Sequence, residues 1–492
     1  MGLFQIRQLR KFRTCRDNAS KAGPPQFGNG LQTSLLRQLA SEASARPWNA
    51  PIGFCMAERD LPRLGATLWR WFVQRRLRTT IPLVRRRAAT FFGAIMLAVV
   101  ALAFARSADA AQLVFARLFG QYRWLPLIIT PLIFAIVAFA TGRWASEARG
   151  SGIPQIIAAA ERPGSAGATR LANLKIAISK LFLTLLMLLG GASVGREGPT
   201  VQVSAAFMVW VHRLLRVPIT AGVLIAGGAA GVAAAFNTPL AGVAFAIEEL
   251  AAAYEQRVAL LVMAAVMISG LTMIGIAGDY VYFGVLRSSV GFRQTLVLAP
   301  SIGIVGGIAG GLFSRIVLHF SNAKSGFAWQ LKRRPVLFAG GCGLIVAIVG
   351  ILSNGTTWGT GYAPARVLIE GGHLTGWFGP AKLIASICTT LSGTPGGIFS
   401  PSLAVGAGVG NAMAGLFPGS PTSAIALLGM AAYFVGVVRA PLTAVIILME
   451  TTASRSMILP LFATALIADA TSALISRERI YHGLSRGFLT QE

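Results

Sequence analysis

Arg196 and Glu197 stand side by side in "SVGREGPTVQ" (193–202), between the apolar runs "LFLTLLMLLGGA" and "VSAAFMVWV". A carboxylate in such a place can take up and release a proton. If the stretch lies in a bilayer, each charge costs about 3 kcal/mol or more, so residues of this kind are rare and mostly functional. Two more acids, Glu248 and Glu249, close the apolar run that follows Pro239. From spacing they are either an internal proton donor or the polar end of a helix. Lys180 lies inside another apolar run. It either raises the positive potential near Gly195 or snorkels to an interface.

Other chemistries find no support. The four cysteines (Cys15, Cys55, Cys342, Cys388) form no CxxC pair, and the four histidines (His212, His319, His373, His482) are scattered singly. Neither a disulfide framework nor a metal site is expected. "GASVG" (191–195) matches the nucleophile elbow around Ser193, but it follows an apolar run rather than a strand. With no phosphate loop ending in GK[ST] either, the chain is not expected to be an enzyme or to hold a cofactor.

The elements that must position these residues are membrane helices. The 492 residues are 54% hydrophobic and 12% charged, about half the charge of a soluble domain. Apolar windows near the ~20 residues needed to span hydrocarbon recur at 88–106, 124–142, 173–192, 219–235, 257–276, 297–318, 336–352, 379–391, 423–438 and 456–476. Segments 239–252 and 399–416 are too short or too interrupted to cross alone. Broken segments are tolerated at membrane depth only where they are buried in protein or line a polar cavity. The net charge of +27 sits largely before the first span, in "RWFVQRRLRTTIPLVRRR", and near the end, in "SRERIYHGLSRG". That pattern sets topology rather than nucleic-acid binding and puts both termini in the cytoplasm. Residues 1 to about 60 read as a disordered basic extension without a signal peptide.

An internal repeat organises the rest. "GREGP" (195–199) is matched by "GIFSP" (397–401), and Pro239 with Glu248 by Pro441 with Glu450, both 202 residues later. "GSGIP" (150–154) is matched more loosely by "GTGYAP" (359–364), 209 residues later. Paired broken segments at a repeat interface point to a transporter's binding site. In "GSGIPQ", "GREGPT" and "GGIFSP", glycines precede a proline, which suits the first turn of a helix. Each motif therefore predicts a loop ending at a helix N-terminus, with free N–H groups and roughly half a positive charge. Several such ends together bind an anion without a full charge, and weakly enough to release it. Glu197, itself an anion, would compete for that site and leave it on protonation. Spacing alone does not say whether the two halves are parallel or inverted.

These motifs, with "AAFNTPLAGVAFAIEEL", "RAPLTAVIILMETT" and the terminal "IYHGL", resemble the CLC family of chloride channels and chloride/proton antiporters, from about residue 65 to 487. The resemblance implies an all-α polytopic membrane protein of two inverted repeats, about 88–285 and 297–476, within a domain spanning 61–487. It also implies a homodimer in the cell membrane, with chloride and protons as the transported ions. Carried over by position, Ser151, Tyr481 and the backbone N–H groups of Ile398 and Phe399 would hold the central chloride. Glu197 would be the external gating glutamate and Glu249 the internal proton-transfer glutamate, with Lys180 and Arg196 shaping the field of the pathway. Ser151 in place of proline argues against nitrate, and Ser151 with Tyr481 against fluoride. Glu249 favours antiport over a passive channel. With eleven residues after Tyr481, the cytoplasmic regulatory pair of some members is expected to be absent.

Overall fold

The structure, a computed structural model, describes residues 61–250 and 256–489; the expected N-terminal extension lies outside them. The chain divides into compact units at 1–81 and 82–492, and all that follows concerns the second. The described residues are helical, with one two-residue bridge and no strand.

The first half runs α1 (Leu61–Gln121), α2 (Pro126–Trp144), α3 (Ile153–Glu161), α4 (Ala166–Leu171), α5 (Leu174–Leu189), α6 (Glu197–Leu214), α7 (Ala221–Phe236), α8 (Pro239–Phe245) and α9 (Gln256–Ala277). The second runs α10 (Phe292–Asn322), α11 (Gly326–Lys332), α12 (Pro335–Leu352), α13 (Tyr362–Ile369), α14 (Phe378–Leu391), α15 (Phe399–Met413), α16 (Thr422–Val438), α17 (Pro441–Thr452) and α18 (Ile458–Ile475), with α19 (Ile480–Leu489) appended. Six of the described helices are long and apolar enough to cross a membrane. They leave large apolar side chains such as Leu459, Leu474 and Phe292 outward, as a lipid-facing surface requires. The molecule is a multi-pass membrane protein.

The repeat is inverted, as two reciprocal contacts show. Gly195 and its repeat mate Gly397 exchange both backbone hydrogen bonds, at 2.7 and 2.8 Å, in antiparallel register. Residues that pair with their own equivalents in opposite directions lie on a local two-fold axis. Further along, the Glu248 carboxylate accepts from the N–H groups of Leu442 and Thr443 (3.1 and 2.7 Å). Its mate Glu450 accepts from those of Leu240 and Ala241 (3.2 and 2.9 Å). Each half thus caps the other's broken helix, α17 or α8, satisfying N–H groups that have no intrahelical acceptor.

Small residues set the helix spacing around the axis. On α15 and α16, Gly406 and Gly429 bring the two backbones into direct contact, where any side chain would collide with the opposite main chain. Close approach through small residues is how membrane helices gain packing energy without a hydrophobic drive between them.

Candidate functional site

Three loops meet at the two-fold axis, each ending at a helix N-terminus. α3 begins at Ile153 after Gly152, α6 at Glu197 and α15 at Phe399. The loops are tied by Gly195 to Gly397 and by the Gly396 N–H, which donates to the Gly150 carbonyl at 3.1 Å. Gly198 is where they crowd most. A Cβ there would strike the Ser151 hydroxyl and approach the Ser151 carbonyl to 2.8 Å and Gly397 to 3.2 Å. Only glycines let three helix starts share one point, and their partial positive charges add there.

The structure brings the expected site residues together around this point. Ser151 is buried, Tyr481 is fully buried, and neither hydroxyl has a hydrogen-bond partner in the protein. They come from facing elements, since α19 packs along α3. The Tyr481 ring stacks on Phe399 at 6.3 Å, and Phe236, Phe245 and Phe434 close the apolar wall around Phe399. The N–H groups of Ile398 and Phe399 open α15 and meet no protein acceptor among the described residues. Two orphan hydroxyls and two orphan amides at a helix N-terminus make a cradle of donors, with an apolar wall and no full positive charge in it. Such a cradle suits a small, weakly hydrated anion.

Above the cradle opens a cleft of about 1210 Å³ whose lining includes Arg106, Arg196, Arg287 and Arg366 against Asp109 and Glu370. The excess of cations draws anions toward its floor. Arg196 there donates to the Ala105 carbonyl (2.6 Å) and to Asp109 (2.9 Å), and its guanidinium lies over the rings of Tyr282 and Tyr362. Glu197 lies just beneath, 1% exposed. Its two carboxylate oxygens accept from the hydroxyls of Tyr362 and Ser400, and Arg196 Nε stands 4.0 Å away. In this conformation hydroxyl groups, not backbone amides, hold the carboxylate. That differs from the sequence expectation that Glu197 rests on a helix N-terminus, because Ser400 and Tyr362 supply stronger donors at the same place.

The chain carries the signature of one family. The family model described as "Voltage gated chloride channel" matches residues 133–473. The chain belongs to this family. It is 33% identical over 413 residues to the "H(+)/Cl(-) exchange transporter ClcA" of Yersinia pseudotuberculosis serotype IB (strain PB1/+), covering 80% of this chain and 82% of that protein. To the protein of the same description from Salmonella agona (strain SL483) it is 30% identical over 372 residues, covering 73% and 77%. Among solved structures it superposes on a slow cyanobacterial Cl-/H+ antiporter with a TM-score of 0.71 at 23% identity, covering 83% of this chain and 99% of that one. A CLC-type fluoride/proton antiporter gives 0.67 at 21%, covering 81% and 97%. At these identities the superpositions establish the family fold.

Within this voltage-gated chloride channel fold, the paired acids at the end of α8 separate. A π-helical turn, Ala246–Leu250, carries both, and one residue of helical rotation sends them to different sides. Glu248 is committed to capping α17. Glu249 points inward, fully buried, and neither of its oxygens accepts a hydrogen bond from the protein. His482 Nδ1 is its nearest cation-capable neighbour, at 3.4 Å. The even choice left by spacing is thus resolved by geometry: Glu248 is the structural acid, and Glu249 is the uncommitted one.

Lys180 is fully buried, and its ammonium donates to Gln202 Oε1 at 2.8 Å. Snorkelling is therefore excluded. Gln202 in turn donates to the carbonyls of Glu147 and Leu171, at 3.1 and 2.9 Å, so Lys180 braces the loop that carries Ser151. Three residues of the site were not singled out from the sequence. Lys382, the 202-residue mate of Lys180, donates to the carbonyls of Thr357 and Gly359, both at 2.8 Å, and so holds the loop before Tyr362. Tyr362 and Ser400 grip Glu197. The repeat offset applied to Lys180 finds Lys382, and Ser400 and Tyr362 lie inside motifs already paired by that repeat.

Proposed function

We propose that the protein is a chloride/proton antiporter. The observation that carries this reading is the pairing of two buried carboxylates with a donor cradle free of full charge. Glu197 lies on the cleft side of the cradle and Glu249 on the other, and the Tyr481 phenol is within electrostatic reach of both. Chloride sits among the Ser151 and Tyr481 hydroxyls and the N–H groups of Ile398 and Phe399. Glu197 leaves its Tyr362 and Ser400 partners on protonation and carries the proton between cleft and cradle. Glu249 exchanges that proton with the opposite side. The relatives described as H(+)/Cl(-) exchange transporters support the ions named. An internal carboxylate with no structural task supports antiport over a passive channel. The protein works as a homodimer in the bacterial inner membrane, with both termini cytoplasmic, as the positive charge flanking the first span suggests.

The anion site is tested by binding. Chloride titrated calorimetrically into protein purified in a chloride-free buffer should bind. The double variant Ser151→Ala with Tyr481→Phe removes two donors to an anion, each worth roughly 1.5–3 kcal/mol. Affinity should fall by roughly a hundredfold or more at 1.4 kcal/mol per factor of ten. Undiminished binding by this variant would place the anion elsewhere.

A further inference from the structure

We propose that His482 is the proton relay between the aqueous phase and Glu249. Glu249 is sealed, its side chain 0% exposed, so a proton cannot reach it from water directly. Its neighbour Glu248 faces the same end of the molecule but is occupied by the backbone N–H groups of α17 and the Thr443 hydroxyl. His482 alone bridges the gap. Its imidazole is 40% exposed, Nδ1 lies 3.4 Å from Glu249 Oε1, and that nitrogen has no hydrogen-bond partner. A small torsion closes that distance to a hydrogen bond. The other groups facing the pair are Arg479, whose guanidinium donates to the Glu248 carbonyl at 3.1 Å, and the neutral phenol of Tyr481. Arg479 remains protonated throughout and cannot pass a proton.

Imidazole suits the task because it gains and loses a proton between about pH 5 and 8 and offers two nitrogens. A proton from water binds Nε2 and makes the ring an imidazolium. The Nδ1 proton passes to Glu249 Oε1, leaving a neutral carboxylic acid and a neutral ring protonated at Nε2. Exchange with water restores the Nδ1 tautomer, so each cycle delivers one proton and consumes nothing else. The reverse sequence returns a proton to water.

This inference rests on the proposed role of Glu249, and the experiment separates the two. Proton flux is measured in liposomes containing the wild-type protein, His482→Ala, His482→Gln or Glu249→Gln, with and without imidazole buffer on the side facing residue 482. Both histidine variants should lose proton flux roughly tenfold or more, at the low end of what a positioned acid–base group contributes. Imidazole should restore it in His482→Ala in proportion to its concentration and should do nothing in Glu249→Gln. Wild-type flux in His482→Gln, or a loss that imidazole does not restore, would overturn the relay. Proton flux persisting in Glu249→Gln would instead overturn the role of Glu249, whatever the histidine variants do. Calorimetric chloride binding of wild-type strength by each variant shows that it is folded.

Discussion

Glu197→Ala should leave a protein that passes chloride freely and moves no protons. The carboxylate is the one titratable group that touches both the cleft residues, through Tyr362 and Arg196, and the loops of the cradle, through Ser400. Removing it takes away the plug and the proton carrier together. Chloride flux should therefore lose its dependence on pH, because the step that required protonation no longer exists. Below neutral pH, where the wild type is faster, the two proteins should converge; above it, the variant should be the faster. The check is chloride efflux from liposomes over a range of pH, with proton movement recorded in the same vesicles. Coupled proton movement that survives in Glu197→Ala would remove the residue from the mechanism.

Glu249→Gln should have the complementary effect. Glutamine keeps the shape of the side chain in its sealed site but carries no exchangeable acid proton. Proton movement should cease while chloride continues through the cradle, which Glu249 does not line. Its neighbour gives a contrast within one turn of helix. Glu248→Gln loses charge-assisted bonds to the Leu442 and Thr443 amides, so it should lower the thermal unfolding temperature of the purified protein. Coupling should remain intact in whatever stays folded. Opposite assignments in the two variants, with coupling lost at 248 and stability lost at 249, would reverse the reading of this π-helical turn.

Much of this site was legible in the sequence for a physical reason. A helix start needs a glycine-rich approach and tolerates proline in its first turn, so three such motifs announced three N-termini before any fold was known. The 202-residue offset then showed that two of them were equivalents, and Gly195 and Gly397 meet as that offset implies. The separation of Glu248 from Glu249 was not legible. It depends on a π-helical turn and on a helix start nearly two hundred residues away, neither of which leaves a local pattern. Lys180 shows the same limit. A lysine at the edge of an apolar run reads alike whether it snorkels or is buried, and only the acceptor on Gln202, on the next long helix, decides. Tyr362 and Ser400 were hidden because a hydroxyl near a helix start reads as ordinary capping chemistry. Their importance lies in the carboxylate of the other repeat that they grip.

The central claim is that chloride moving through this protein drives protons the other way. Reconstituted in liposomes without a pH gradient, the protein should be given a chloride gradient, and the external pH should be followed. The account predicts that protons are pumped against their own gradient in the direction opposite to chloride, in a fixed ratio, and that the movement stops in Glu249→Gln. Chloride flux with no proton movement in the wild-type protein would contradict it and make the molecule a passive chloride channel of the same fold.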